Sequence, residues 1–141
     1  MAKTGFPGWR DFDPRNAPRA TPAAGAKLAA QKTLHAPPRG MNKLELGYAT
    51  HLGFHQAAGA IRWWAFEALK FRLADRTWYT PDFVIEFADG HMEVHETKGH
   101  WREDARIKIK VAAVQFPWLI FYGITKDKDG RYRNERFSND R

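Results

Sequence analysis

The sequence predicts a mixed α/β (α+β) domain with a mixed central sheet, and three observations lead to this fold class. Apolar side chains recur at helical spacing after Asn42. Two strand-like runs flank Asp89-Gly90, a dipeptide typical of a hairpin turn. A helical pattern over residues 102–116 leads into the continuous apolar run WLIFYGI, residues 118–124, which indicates a buried strand.

The first predicted element is a helix that begins after Asn42. Asn42 suits the N-cap and Glu45 suits the N3 position of a capping box. Gly59 is expected to end this helix. Its inward face follows from spacings of four and three residues and carries Leu44, Tyr48, Leu52 and His55.

Strands and a second helix complete the predicted domain. Aromatic and β-branched residues predict three strands, over residues 61–73, 78–87 and 92–98. Glu103 and Asp104 favour a helix start near residue 102, because negative charge suits that end of the helix dipole. The core face of this helix is expected to carry Ile107, Val111 and Val114. The order is therefore helix, three strands, helix, strand, and then a charged extension, 125–141, in which Asp129-Gly130 can turn a small hairpin.

The turn at Asp89-Gly90 decides which side chains face each other across the hairpin. A two-residue turn would place Asp82 opposite Thr97, whereas a three-residue loop would place Asp82 opposite Glu96. The three-residue loop requires glycine at its third, left-handed position, and Gly90 stands there. We therefore predict that Asp82 and Glu96 are neighbours, with Cβ atoms roughly 5 Å apart.

Residues 1–40 differ in composition from the rest of the chain. They hold six of the eight prolines, and seven basic residues against two acidic ones. Such a segment buries too little apolar surface to offset the entropy of ordering it. We expect a mostly disordered basic arm ahead of one domain, 41–141, whose core spans about 42–124.

The overall composition excludes several classes of protein. The chain has no cysteine, which excludes a disulfide scaffold, a cysteine zinc site and a cysteine nucleophile. No apolar stretch is long enough for a membrane span and no signal peptide is evident, so we expect a cytoplasmic protein with no membrane partner. The net charge of +7 suggests a polyanion such as nucleic acid, although most of the excess lies in the arm.

Asp82, Glu96 and Lys98 form the constellation that best suggests chemistry. Glu96 and Lys98 are two apart on a strand and project from the same face. Two neighbouring carboxylates repel unless a cation lies between them, and carboxylate oxygens suit a hard ion such as Mg²⁺. A nearby lysine can position or deprotonate a water, or steady charge on a phosphate. The ordinary alternative is a surface Glu–Lys pair beside an unrelated aspartate.

The spacing of these residues resembles a known signature. Pro81-Asp82, a short hairpin and Glu96-Thr97-Lys98 resemble the PD-(D/E)XK nuclease motif, and the predicted order of elements is similar to the α-β-β-β-α-β, restriction-endonuclease-like core of that superfamily. The phrases YTPDF, ETKG and DARIKIK are similar to small phage proteins of the Holliday-junction-resolvase, endonuclease I type. YTPDF also recurs in transposon-encoded end-cleaving endonucleases. The resemblance covers about residues 42–124.

The resemblance implies a set of site residues. Asp82, Glu96 and the backbone carbonyl of Thr97 would hold Mg²⁺, for which Mn²⁺ is expected to substitute. Lys98 would act on the attacking water or on the scissile phosphate. The resemblance also implies an acidic residue from the first helix, and Glu45 is the candidate by position, although it can equally serve only as a cap. The rival fourth acid, Glu67, can equally be an exposed strand residue.

Two further groups of residues have candidate binding roles. Arg102, Arg106 and Lys110 are four apart and share a helix face, with Lys108 on a neighbouring stripe. We expect these four residues to contact DNA phosphates, the alternative being a solvated basic face, and the basic arm can add a salt-sensitive contribution. A second group consists of His91, Glu93 and His95 on one strand face, with His100 beyond them. We expect these to be surface strand residues, and a zinc site is the less favoured alternative.

The predicted function is a metal-dependent, structure-selective DNA endonuclease acting on branched DNA such as Holliday junctions. Because paired nicks need two active sites, we expect a homodimer. Three alternatives remain open: an end-cleaving or processing nuclease of the same fold, a catalytically silent nucleic-acid-binding module, and a structural or interaction protein.

Overall fold

The computed structural model describes residues 40–138 of the chain. The predicted basic arm lies outside the described residues except for Gly40, as do residues 139–141. Within the described range the elements are α1 (Lys43–Ala57), β1 (Ile61–Phe66), β2 (Phe71–Ala74), β3 (Thr77–Tyr79), β4 (Phe83–Phe87), β5 (Met92–Thr97), α2 (Glu103–Gln115), β6 (Ile120–Lys126) and β7 (Tyr132–Arg136).

The main sheet has five strands in the order β1-β4-β5-β6-β7. β5 and β6 are parallel, and every other neighbouring pair is antiparallel. β2 and β3 form a separate antiparallel ribbon of two strands. The prediction of a mixed α+β domain with a mixed sheet is confirmed.

The sheet has an apolar core on each of its faces. On one face Val84, Val94 and Phe121 pack with Ile109 of α2 and with residues of the β2–β3 ribbon. On the other face the core lies under α1 and contains Tyr48, Leu52, Phe83, Ile85 and Ile124. Because strand residues alternate between the faces, β4 and β5 are buried on both sides.

α1 begins as the sequence predicts. The side chain of Asn42 accepts a hydrogen bond from the backbone N–H of Glu45, and the Glu45 carboxylate accepts one from the backbone N–H of Asn42, which completes a capping box. Gly59 follows the helix with φ +83°, in the left-handed region that favours glycine. The buried face carries Tyr48, Ala49, Leu52 and His55, and the predicted Leu44 is half-buried.

The two long strands predicted over residues 61–73 and 78–87 are wrong, because each is broken into two. The first is interrupted at Glu67, which adopts a left-handed φ of +46° and donates its backbone N–H to the carbonyl of Asp82 at 2.8 Å. The second is interrupted around Pro81, which has no N–H to give to a ladder. Both breaks separate the β2–β3 ribbon from the main sheet.

The core face predicted for the second helix is also wrong. Ile107 and Val114 are more than half exposed, and Val111 is also exposed. The buried residues of α2 are Ile109, Ala112 and Ala113. Two of these three buried side chains are small alanines, so the longer branched side chains of Ile107, Val111 and Val114 lie away from the sheet. The helix bounds agree with the predicted range of 102–116.

Two aromatic side chains, one following β5 and one following β7, pack tightly over a glycine of β6. A Cβ atom added to Gly123 of β6 would lie 2.3 Å from Cζ2 of Trp101 and 2.8 Å from Cε2 of Phe137. Only glycine therefore lets the loop after β5 lie against β6.

The predicted hairpin at Asp129-Gly130 is present between β6 and β7. No helix within the described residues is long and apolar enough to cross a membrane.

Candidate active site

The hairpin between β4 and β5 has the predicted register. The paired residues run from Phe83 and His95 to Glu86 and Met92, and the backbone N–H of Phe87 donates to the carbonyl of His91 at 3.0 Å, which leaves a loop of three residues, 88–90. Gly90 has φ +90° at the third position of that loop. Extended by one residue, this register places Asp82 opposite Glu96 at the end of the hairpin that is remote from the turn.

Asp82 is held in place by Thr97. Its Oδ2 accepts a hydrogen bond from the backbone N–H of Thr97 at 2.8 Å and another from the Thr97 hydroxyl at 2.7 Å. No described residue donates a hydrogen bond to Oδ1, although the side chain is only 7% exposed. The carboxylate is therefore fixed through one oxygen and presents the other. The anchoring role of the Thr97 side chain was missed in the sequence, where a hydroxyl residue beside an acidic motif carries no distinct signal.

Glu96 is buried between a tyrosine and a lysine. The Tyr79 hydroxyl donates to Oε2 at 3.1 Å, and the Lys98 ammonium lies 2.7 Å from Oε1. Burial and the nearby charge of Asp82 raise the pKa of Glu96, and its contacts with Lys98 and Tyr79 offset part of that rise. Two buried carboxylates thus repel each other across the hairpin. Tyr79 carries no signal in the sequence that marks it as a site residue, although it lies three residues before Asp82.

Lys98 pairs with Glu96 and lies within electrostatic range of Asp82. Burial alone would lower the pKa of Lys98, but its hydrogen bond and charge pairing with Glu96, and the charges of Asp82 and Glu45, raise it above the ordinary value. The side chain therefore carries a full positive charge at neutral pH. It remains partly exposed, at 31%, so a ligand can approach it.

The two candidates for a fourth acid differ in position. Both carboxylate oxygens of Glu45 serve the capping box, at 2.8 Å from the backbone nitrogen of Asn42 and 2.7 Å from its Nδ2. The charge of Glu45 nevertheless raises the pKa of Lys98, which places it at the edge of the site. Glu67 is exposed, and its connection to the site is the hydrogen bond from its backbone to the carbonyl of Asp82.

The donor set at this site suits a divalent cation with several water ligands. Within residues 40–138, no three His, Asp or Glu side chains converge on one point as metal ligands. The carboxylates of Asp82 and Glu96 do lie opposite each other. Oδ1 of Asp82 accepts no hydrogen bond from a described residue, and the pKa of Glu96 is raised. A hard cation would relieve their repulsion, and Mg²⁺ in particular is commonly bound by one or two carboxylates and water.

The proposed zinc ligands form a hydrogen-bonded chain instead of an open cluster. The Glu93 carboxylate lies between two histidines, with Oε1 3.0 Å from Nε2 of His91 and Oε2 2.7 Å from Nε2 of His95. Nδ1 of His95 lies 2.7 Å from the Tyr48 hydroxyl, and Nδ1 of His91 pairs with Asp89. His95 and Glu93 are buried under α1, so reading them as surface strand residues is wrong. The fourth residue of that group, His100, is exposed in the loop after β5.

The four predicted DNA-binding residues lie on α2 and at its start. Arg102 is the N-cap residue and is exposed, as are Lys108 and Lys110. Arg106 makes a two-pronged ion pair with Glu135 of β7, with one contact of 3.0 Å, and its guanidinium lies over the rings of Trp101 and Phe137. Lys110 and Arg106 line an open depression between α2 and β7, of about 410 Å³. The exposed cations remain candidates for phosphate contact, whereas Arg106 is already paired.

The arrangement at the end of β5 is therefore a buried acidic pair, an anchoring threonine, a tyrosine donor and a charged lysine. No protein-family model, curated protein or solved structure matches the chain.

Proposed function

We propose that this protein is a Mg²⁺-dependent DNA endonuclease with a PD-(D/E)XK type of site on a restriction-endonuclease-like core. One observation carries the proposal: the hairpin register sets Asp82 beside Glu96, and Lys98 lies 2.7 Å from Glu96 at the same end of the sheet. The ordinary alternative, an exposed Glu–Lys pair beside an unrelated aspartate, does not fit, because Asp82 and Glu96 are both buried and adjacent.

The residues of the site have separate roles in the proposed reaction. Oδ1 of Asp82, the Glu96 carboxylate and the backbone carbonyl of Thr97 would hold the metal, with Glu45 completing the site through water. A bound Mg²⁺ supplies Lewis-acid activation of the phosphate and of a nucleophilic water. Lys98 is charged, so its role is to orient the water and to stabilise negative charge on the phosphate, and not to remove a proton.

The substrate of the proposed enzyme is branched DNA. Arg102, Lys108 and Lys110 offer exposed cations on the helix that follows the catalytic strand, where they can bind phosphates. Symmetric cleavage of a four-way junction requires two copies of the site, so we propose a homodimer. The proposed location is the cytoplasm of a bacterial or phage-infected cell.

Cleavage of labelled DNA tests this proposal. Full-length protein is incubated with a four-way junction, a flap, a linear duplex and a single strand, each with Mg²⁺, with Mn²⁺ and with EDTA. Asp82→Ala and Lys98→Ala are expected to abolish metal-dependent cleavage while DNA binding persists. Asp129→Ala and Lys128→Ala, in the exposed β6–β7 turn, serve as matched controls and should cleave as the wild type does.

The outcomes separate the candidate functions. Paired nicks confined to the junction support resolution of branched DNA, whereas cleavage near the ends of a linear duplex favours an end-processing nuclease. Binding without cleavage by the wild type would favour a silent nucleic-acid-binding module. Normal cleavage by Asp82→Ala would show that the assignment of the site is wrong.

A further inference from the structure

The β2–β3 ribbon has one buried face and one exposed face. Phe71 and Tyr79 are paired across the ribbon and point inward, where both are buried. Arg72 and Trp78 form the next cross-strand pair, and by strand alternation they point outward. The outer face therefore presents an aromatic ring and a cation side by side.

Trp78 is exposed although the ribbon that carries it is firmly attached. Gln115 of α2 donates a hydrogen bond to the carbonyl of Leu73 at 2.8 Å, and the ring of Phe71 lies 4.7 Å from that of Phe116. Trp78 remains 46% exposed and takes no part in either apolar core. Packing of the ribbon thus does not account for a tryptophan at this position.

Basic residues lie on the same ribbon as the exposed ring, and one of them contacts it. The Lys70 ammonium lies 5.1 Å from the centroid of the Trp78 ring, within cation–π distance. Arg72 stands opposite Trp78, and Arg76 lies at the turn between the strands. Asp75 is the acidic residue at this turn, with an exposed contact of 3.3 Å to Arg72. The outer face of the ribbon is therefore net positive.

We propose that this outer face, made of Lys70, Arg72 and Trp78, binds unpaired nucleotides of the DNA substrate. Trp78 would stack on an exposed base, and the two cations would contact the adjoining phosphates. Aromatic rings beside basic side chains are the usual means of binding single strands, because every base offers a π face. This inference rests on the proposed nuclease function and deepens it by naming the DNA element that the protein recognises.

The position of the ribbon connects this surface to the candidate active site. Tyr79, the residue after Trp78, donates its hydroxyl to Glu96 from the opposite face of the ribbon. An unpaired segment held on Trp78 would therefore lie on the outer side of the same ribbon whose inner side supplies Tyr79 to the carboxylate pair. Bases inside a continuous duplex are stacked on each other and cannot reach the ring, so the surface would favour flaps, gaps and open junctions over linear duplex.

DNA binding in EDTA tests the inference without requiring cleavage. Affinities of the full-length protein for a fluorescein-labelled oligothymidine strand and for a blunt duplex are measured by anisotropy. Trp78→Ala is expected to weaken binding of the single strand about tenfold, and Trp78→Phe should retain most of it. Trp63→Ala is the matched control, because Trp63 is similarly exposed, at 45%. It lies outside the ribbon, on β1, where it pairs with Glu86 near the end of β4 that is remote from Asp82.

Salt dependence tests the cations separately. Each of Lys70→Ala and Arg72→Ala is expected to lower the slope of log affinity against log salt by about 0.7 for a single strand. Circular dichroism and thermal unfolding of each variant check that the fold is retained. Unchanged single-strand binding by Trp78→Ala, or equal loss with Trp63→Ala, would overturn the inference.

The proposed function and this inference fail in different ways. If the wild type cleaves DNA but Trp78→Ala binds single strands normally, the surface is refuted and the nuclease stands. If single-strand binding depends on Trp78 but no metal supports cleavage, the nuclease is refuted and the surface stands. A wild type that does not bind the single strand at all refutes the surface directly.

Discussion

Replacement of Asp82 by asparagine is expected to stabilise the fold while it removes a metal ligand. Asparagine keeps a side-chain oxygen that can accept the two hydrogen bonds from Thr97, so the local geometry should persist. It removes one of two buried negative charges that face each other across the hairpin. The free energy of unfolding in the absence of metal should therefore rise, as is common when charge is removed from a functional site.

The size of this effect follows from the distance between the charges. Directly opposed residues in antiparallel strands have Cβ atoms ~5 Å apart. Two unit charges at that separation repel by about 3 kcal/mol at an effective dielectric constant of ~20. Lys98 is two residues beyond the residue opposite Asp82, and such diagonal neighbours have Cβ atoms ~8 Å apart. The lost attraction between Asp82 and the Lys98 ammonium therefore cancels about 2 kcal/mol. The net gain of about 1 kcal/mol corresponds to a rise of ~5 °C in Tm for a domain of this size.

Thermal unfolding in EDTA, followed by circular dichroism, measures this change. At pH 7 Asp82→Asn should melt above the wild type, whereas Asp129→Asn, at an exposed position, should not. Because the pKa of Glu96 is raised in the folded state, stability falls as the pH rises above 4.5, its ordinary value, towards the folded pKa. The advantage of Asp82→Asn should therefore disappear near pH 3, well below the raised pKa of Glu96, because a protonated Glu96 carries no charge to repel Asp82.

A Tm for Asp82→Asn equal to or below that of the wild type at pH 7 would refute the reasoning, because the two carboxylates would then not repel. Titration with MgCl₂ provides a second test. Mg²⁺ should raise the Tm of the wild type, since a ligand that binds only the folded state stabilises it, and should not raise that of the variant.

Three other changes test separate parts of the structure. Gly123→Ala should destabilise the fold by about 1–3 kcal/mol in urea unfolding, because its Cβ would meet the ring of Trp101, and unchanged stability would contradict the close packing. Glu45→Gln should leave stability in urea nearly unchanged, because glutamine also completes a capping box with Asn42. The same substitution should reduce DNA cleavage. Cleavage equal to that of the wild type would show that Glu45 serves only as a cap. Burial lowers the pKa of His51 to about 4, so the free energy of unfolding should fall as the pH decreases from 6.5 to 4. His51→Gln should weaken this pH dependence, as measured by thermal unfolding at a series of pH values.

The acidic pair could be predicted because its determinants are local. Gly90 selects the loop length of one hairpin, and the loop length sets Asp82 opposite Glu96. The cap of α1 was predicted for the same reason, since Asn42 and Glu45 are three residues apart. The hairpin loop and the helix cap each depend on backbone geometry over a few residues, and tertiary packing does not override that geometry here.

The breaks in the strands could not be predicted because their causes are tertiary. Glu67 adopts a left-handed conformation that glycine would normally signal, and it does so where its N–H reaches the carbonyl of Asp82. The inner face of α2 was ambiguous for a different reason. Apolar residues occupy most of its positions from Ile107 to Val114, and tertiary packing, which buries Ala112 and Ala113, decides among them.

The locality of the β4–β5 hairpin also has a consequence for the order of folding. Asp82 and Glu96 are 14 residues apart, so the loop that joins them closes at little cost in chain entropy. β6 joins β5 only through a parallel crossover that contains all of α2. Contacts between residues near in sequence form faster than distant ones. We therefore expect the two carboxylates to meet before the sheet is complete, so that their repulsion acts against an early step of folding.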